Sequence, residues 1–340
     1  MVISIQILRG IAALLVAISH LPIRFTVGFF GVDLFFVVSG FVMTYTTGSG
    51  YQTARNFLFR RAVRVIPLYW IVTSIGLVSL LHEYRHVPLW DLPQRFIVAS
   101  YMLFPLATGD DRMDFYPLIS QGWTLEYEMF FYICFAIALW LNPRRVTLTL
   151  GPVLCAFCAF GAVVDLPVPL FYYARTNTLE FVYGMGIARL FTSGIRLPFP
   201  VSVLMLVCAS GAAYAFAPYS DEWDILRGFG WGIPAAGIIT AATLSQSFPR
   251  NGFSRCLEAL GQASYSLYLT HEYAYDAVRA LIPASAIKEP VSLWVPGVML
   301  VCAVALGFLT YVSLERPLTR FLQACFGRHL GTVPSALPVR

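Results

Sequence analysis

The fold is decided by the stretch Ile3-Ser4-Ile5-Gln6-Ile7-Leu8-Arg9-Gly10-Ile11-Ala12-Ala13-Leu14-Leu15-Val16-Ala17-Ile18-Ser19-His20-Leu21-Pro22-Ile23. It is apolar over a length that crosses a bilayer, which takes about 20 residues as a helix. Two ionisable side chains, Arg9 and His20, interrupt it. An Arg in hydrocarbon costs roughly 3 kcal/mol on insertion scales, so such residues face protein or water and mark function. Their spacing is about three helical turns, which puts both on one face and separates them by roughly 16 Å along the axis. A polar face of this kind needs a bundle around it.

The rest of the chain supplies that bundle. Hydrophobic residues make up 58% of the 340 and charged residues only 12%, where soluble domains carry about 25% charged residues. Ten apolar stretches predict membrane spans at 5–23, 28–47, 66–82, 121–141, 147–164, 177–193, 198–217, 228–245, 261–282 and 293–314. Between 83 and 120 the run Phe96–Pro105 is too short to cross and predicts an interfacial or re-entrant helix. The expected fold is an all-α polytopic transmembrane helical bundle of about ten spans. One integral-membrane domain is expected over 1–320, followed by a loosely ordered basic, Pro-containing tail at 321–340.

Charge sets the orientation. Loops on one side hold thirteen arginines against two acids, Glu258 and Glu315. Loops on the other hold seven basic residues against ten acids. The positive-inside rule makes the first side, and both termini, cytoplasmic. The net charge of +5 is thereby explained by topology, and no nucleic-acid partner is expected. No basic n-region or small-residue cleavage site precedes the first helix, which is expected to be retained. The seven cysteines lie mostly in apolar segments. Cys155 and Cys158 form a C-x-x-C without neighbouring His or Cys, whereas zinc asks for about four ligands, so no metal is expected.

Topology then assigns depth. Arg9 falls near the cytoplasmic leaflet and His20 near the outer one. Asp33, in Gly31-Val32-Asp33-Leu34-Phe35-Phe36-Val37-Val38-Ser39-Gly40, lies in the outer third of the second span. Glu126 and Glu128, in Trp123-Thr124-Leu125-Glu126-Tyr127-Glu128, lie at a similar level. A carboxylate beside an imidazole orients it and raises its basicity, which suits a general base; the alternative is a polar cluster that locks helices together. Below, Arg60-Arg61-Ala62-Val63-Arg64 places Arg61 and Arg64 as i,i+3 neighbours able to grip one phosphate with forked donors. Topological anchoring and contact with anionic lipid explain the same residues equally well. In the ninth span Ser264, Tyr268, His271 and Tyr275 form one polar stripe. Glu272, Asp276 and Arg279 form another, read as self-compensating. Glu315 precedes Pro317, which is expected to stop the last helix. Such a chain suits either transfer of an activated group from a cytoplasmic phosphorylated carrier to an outer acceptor, or proton-coupled transport or flipping of a polar, anionic substrate. Residue chemistry leaves both open.

The strings Leu8-Arg9-Gly10 to His20, Gly31–Gly40, Arg61-x-x-Arg64 with Ile66-Pro67-Leu68-Tyr69-Trp70, Trp123-Thr124-Leu125 with Glu128 and Phe131-Tyr132, Ser264-Tyr265-Ser266-x-Tyr268-x-x-His271 and Glu315-Arg316-Pro317 occur in order along most of the chain. Together they resemble the acyltransferase 3 family of integral-membrane acyltransferases, most closely its exopolysaccharide O-acetyltransferase branch. The resemblance implies transfer of an acyl group, most often acetyl, from cytoplasmic acetyl-CoA to a hydroxyl of a surface polysaccharide or lipid-linked saccharide, at the bacterial inner membrane. Acyl-CoA is then a donor substrate, and no tightly bound cofactor is expected. It carries the family's essential first-helix pair onto Arg9 and His20, the paired arginines onto Arg61 and Arg64, and the acidic position onto Glu128 rather than Glu126. On this reading Arg61 and Arg64 bind CoA phosphates and Arg9 borders the path of its arm. His20, Asp33 and Glu128 form the catalytic set, and Trp123, Tyr268 and His271 line the substrate cavity. Some members carry a further soluble acyltransferase domain; this sequence is expected to act alone or with polysaccharide-synthesis partner proteins.

Overall fold

The second apolar stretch becomes the centre of the molecule. In the computed structural model, which describes residues 2–23, 25–48, 52–83, 85, 94–107, 117–219, 226–246, 251–282 and 294–327, 78% of the apolar window of Thr26–Gly48 is buried, against 11% for Phe199–Tyr219. The former contains helix α2 (Phe30–Gly48); the latter contains the peripheral α9 (Phe199–Phe216). Such burial demands close approach of neighbouring backbones, and glycine provides it against α8 (Asn177–Thr192). A Cβ at Gly40 would run into the Phe181 carbonyl, and one at Gly184 into the Val37 carbonyl. Small residues at a crossing allow helices in lipid to pack backbone to backbone.

Helix α1 (Ile3–Ser19) lies at the seam between two apolar clusters. Its Ile5, Leu8, Ala12 and Val16 join the larger cluster built on α2, α5 (Gly122–Leu141) and α8. Ala13 joins the smaller one with α13 (Ser264–Leu281) and α14 (Trp294–Thr310). The seam position keeps the Arg9 to His20 face inside protein.

A helix occupies each of the ten predicted stretches, and no strand forms among the described residues. Among the described residues six segments are long and apolar enough to cross a membrane, and Ile3–Ser19 is a shorter apolar helix. Large apolar side chains such as Trp140, Val163, Leu204 and Val301 point outward on these helices, the pattern of a lipid-facing surface. The remaining helices are α3 (Ala54–Glu83), α4 (Gln94–Met102), α6 (Val146–Val163), α7 (Val168–Tyr173), α10 (Arg227–Gly230), α11 (Gly232–Leu244), α12 (Gly252–Gln262) and α15 (Arg316–Gly327).

Several boundaries differ from expectation. Helix α3 starts at Ala54, so Arg60, Arg61 and Arg64 sit on a helix continuous with the predicted span and Pro67 lies inside it. Tyr265 of α13 ties this region by donating to the Val65 carbonyl at 2.7 Å. The predicted ninth span is α13, and a separate helix, α12, leads into it across Ala263. Pro317 does not end the last helix. A π-helical turn at Tyr311–Glu315 runs without a break into α15, and such a local π adjustment is how a membrane helix accommodates a proline such as Pro317. Part of the segment expected to be a loose tail is therefore helical to Gly327, and 328–340 lie outside the described residues. The predicted short outer helix appears as α4, held to α3 by Tyr69 and Trp70, which donate to the Ser100 and Tyr101 carbonyls.

Candidate active site

The polar face of α1 opens onto two distinct places. At its start is a pocket of about 780 Å³ of atom-free space, part of it open to solvent, whose charged lining is Arg9, Arg61, Arg64 and Glu128. Arg9 is buried, and its Nη2 donates to Ser264 Oγ at 2.8 Å while Nη1 donates to Gln6 Oε1 at 3.2 Å. These bonds fix the guanidinium from α13 and from its own helix. Arg61 packs over the Phe57 ring, 5.9 Å from its centroid, and its buried Nε has no hydrogen-bond partner. Glu128 is held at the wall by the hydroxyls of Ser39, at 3.0 Å, and Tyr132, both donating to Oε1. Three guanidinium groups against one carboxylate leave the pocket with an excess of positive charge. Val32, Phe35, Phe36, Val42, Met43 and Leu125 make the remaining wall apolar. Such a lining suits an elongated ligand with an anionic head and an apolar arm.

At the other end, His20 caps α1. Its Nδ1 lies 2.8 Å from the Val16 carbonyl, which only accepts, so Nδ1 carries the proton and Nε2 presents the lone pair of the neutral ring. Nε2 faces Glu272 Oε1 at 3.5 Å. The ring meets Phe29 and His271 edge-on, with centroids 5.2 and 4.9 Å away. His271 is sealed, its Nδ1 donates to the Tyr268 carbonyl at 2.8 Å, and its Nε2 has no partner. Tyr268 joins the two places. Its ring lines the pocket, lies edge-on to Phe35 at 5.9 Å, and sits 6.3 Å from the His271 ring. Its hydroxyl is fixed by Thr124 at 2.8 Å and the Gln121 carbonyl at 3.1 Å.

The structure thus gathers Arg9, Arg61, Arg64, Glu128 and Tyr268 around one pocket and puts His20 beside His271. It does not bring Asp33 or Glu128 to His20. Asp33 is fully buried and takes two bonds from Arg227, with a second buried carboxyl, Glu180, adjoining it. Trp123 is not part of the pocket lining; it packs on Phe36 and lies under the Arg227 guanidinium. Glu126 is buried, with Oε2 unbonded. Glu315 accepts from Ser266 at 2.5 Å. Of the stripe read as self-compensating, Asp276 and Arg279 do pair, at 2.9 Å, while Glu272 turns to His20. Sequence reasoning missed Glu272 as the partner of His20, although its place beside His271 was a usable signal. It also missed Arg227 and Glu180, which nothing local ties to Asp33.

A profile of the family described as acyltransferase domain matches residues 2–312. The exopolysaccharide production protein ExoZ of Rhizobium meliloti (strain 1021) is 31% identical over 302 residues, covering 87% of this chain and 91% of its own length. The acyltransferase MdmB of Streptomyces mycarofaciens is 25% identical, covering 87% of this chain and 82% of its own. The peptidoglycan O-acetyltransferase OatA of Listeria monocytogenes is 22% identical over 93% of this chain, which spans 56% of that longer protein. No solved structure matches. With the profile covering nearly the whole chain and ExoZ matching over most of both sequences, this multi-pass membrane protein belongs to the acyltransferase 3 family.

Proposed function

We propose that the protein is an O-acetyltransferase of the bacterial inner membrane. It moves acetyl from acetyl-CoA, entering from the cytoplasm, to a hydroxyl of an exopolysaccharide or its lipid-linked precursor. The observation that carries this reading is the arrangement along α1: a three-arginine pocket at its start and, at its end, a histidine whose Nε2 faces the Glu272 carboxylate. The ten-span topology with both termini cytoplasmic belongs to the same proposal and rests on the loop charges.

Arg61 and Arg64 hold the CoA phosphates, with forked donors that match phosphate oxygens. The apolar wall takes the pantetheine arm, and Arg9 borders its path. The sugar hydroxyl reaches His20 from the other side, and Nε2 takes its proton as the oxygen attacks the thioester carbonyl. The new C–O ester bond forms, the C–S bond breaks, and His20 returns the proton to the CoA sulfur. Glu272, facing Nε2, stabilises the imidazolium between these events. Glu128, held by Ser39 and Tyr132, shapes the donor pocket rather than orienting His20.

The deciding experiment is acetyl transfer from radiolabelled acetyl-CoA to saccharide by the purified protein in proteoliposomes. Label is expected in the saccharide with wild-type protein and not with His20→Ala. Substrate flux across the vesicles without acetyl-CoA consumption would sink the proposal in favour of a transporter.

A further inference from the structure

The two histidines near the end of α1 leave a group of acceptors facing one another. In both rings Nδ1 lies 2.8 Å from a backbone carbonyl, Val16 for His20 and Tyr268 for His271. A carbonyl cannot donate, so both Nδ1 atoms are protonated and both neutral rings turn a lone pair outward at Nε2. Glu272 adds a carboxylate, which only accepts. The donor atoms of His20, His271 and Glu272 all lie within 4.8 Å of one another. Within this group the His271 Nε2 is sealed from solvent without any hydrogen-bond partner. A buried polar atom left unpaired is costly, which calls for a ligand. A proton on His20 would satisfy Glu272 and leave His271 unpaired. A dication satisfies all three.

From this we infer that His20, His271 and Glu272 form a binding site for a divalent transition metal of the zinc type, and that occupation silences acyl transfer. Two imidazoles and one carboxylate are a donor set that zinc accepts, with a water as the usual fourth ligand. The surrounding contacts follow the pattern of metal sites, in which a ligating histidine donates its other N–H to a backbone carbonyl and a ligating carboxylate is itself hydrogen-bonded. Here Val16, Tyr268 and the Ser120 hydroxyl, which lies 3.4 Å from Glu272 Oε1, fill those places. Zinc bonds of about 2.0–2.2 Å require the donors to draw together slightly. The side chains of His20 and Glu272, 26% and 36% exposed, leave both the freedom to do so and a way in for the ion. Loading occupies the Nε2 lone pair that the proposed mechanism gives to the acceptor's proton. The inhibitory half of the inference therefore rests on that mechanism, while the binding half does not.

The test uses chelator-treated full-length protein in nanodiscs, with radioactive zinc in equilibrium dialysis and acetyl transfer assayed in parallel. About one zinc per wild-type chain is expected, with at least about tenfold weaker binding in His271→Ala and Glu272→Gln. Zinc is expected to inhibit transfer, and a chelator to restore it. His271 is sealed in the core, so its variant can fail to fold. Glu272 lies at the exposed edge and carries the test alone, with the melting temperature as a check. The site is overturned by a wild-type chain that retains no zinc, or by a Glu272→Gln chain that retains it equally. Stimulation of transfer by zinc overturns the inhibition. Zinc bound and lost on substitution, in a protein that transfers no acetyl, would leave the site standing and reject the proposed function.

Discussion

Asp33 and Arg227, 194 residues apart, form a forked ion pair, with Nε 3.1 Å from Oδ1 and Nη2 2.8 Å from Oδ2, and both side chains are sealed from solvent. Arg227 also donates to the Phe29 carbonyl at 3.2 Å and packs on the rings of Trp231 and Trp123. The pair ties α10 to α2 beside the turn that follows His20. Its geometry is that of a structural clamp, and the carboxylate has no free edge to offer an acceptor sugar.

Asp33→Ala is accordingly expected to destabilise the protein. Removing one partner of a buried pair typically costs about 3–5 kcal/mol, because the other charge stays buried and unpaired. A fall in the melting temperature of the detergent-purified protein, seen also with Arg227→Ala, is the expected result. Normal thermal stability with lost acetyl transfer would return Asp33 to the chemistry.

His20 is where truncation should stop chemistry without stopping donor binding. His20→Ala is expected to lower kcat by about 10²–10⁴, the usual contribution of a general base. The Kd for acetyl-CoA should change little, since the donor pocket is lined by neither His20 nor His271. Calorimetric titration of acetyl-CoA beside the transfer assay separates the two effects.

Arg61 and Arg64 should behave in the opposite way. Each charged hydrogen bond to a phosphate is worth about 1.5–3 kcal/mol, so Arg61→Ala and Arg64→Ala are each expected to weaken acetyl-CoA binding by about 10- to 100-fold. Lysine at either position should rescue only part of this, because an ammonium lacks the planar fork. Equal loss of donor and acceptor affinity would indicate damage to the fold.

Much of this was legible in the sequence, and what was not has a physical reason. Apolar length and loop charge located the helices, because burial and lipid contact act on whole segments. The polar stripe of Ser264, Tyr268, His271 and Tyr275 was legible from helical spacing; that Ser264 meets Arg9 on one pocket wall came only with the structure. Depth alone, however, does not say which way a side chain points. Glu128, expected level with His20, lies instead with Arg9 at the other end of α1, and between Asp33 and Glu272 it is the rotation of α2 and α13 about their axes that decides which meets His20. That rotation is set by contacts such as Gly40 on Phe181 and Tyr275 Oη on the Ala17 carbonyl, at 2.7 Å, which join residues far apart in the chain. Arg227 stood in a loop of mixed charge with no periodic pattern around it, so its buried role had no local signature.

The glycine contacts offer the last test, of how the site is held. Gly40 and Gly184 let α2 and α8 touch backbone to backbone, and an added methyl at either would meet a carbonyl of the partner helix. Carbonyls in the middle of a helix cannot move aside without breaking their own hydrogen bonds, so the helices must separate instead. Overpacking of this kind typically costs about 1–3 kcal/mol. Helix α2 carries Val32, Phe35, Ser39 and Met43 of the pocket wall, and its displacement should loosen the grip of Ser39 on Glu128. Gly40→Ala is therefore expected to lower the melting temperature and also weaken acetyl-CoA binding. Alanine at Gly186, which has open space around it, should do neither. A Gly40→Ala protein as stable as wild type would show that the crossing tolerates separation and that the pocket does not depend on it.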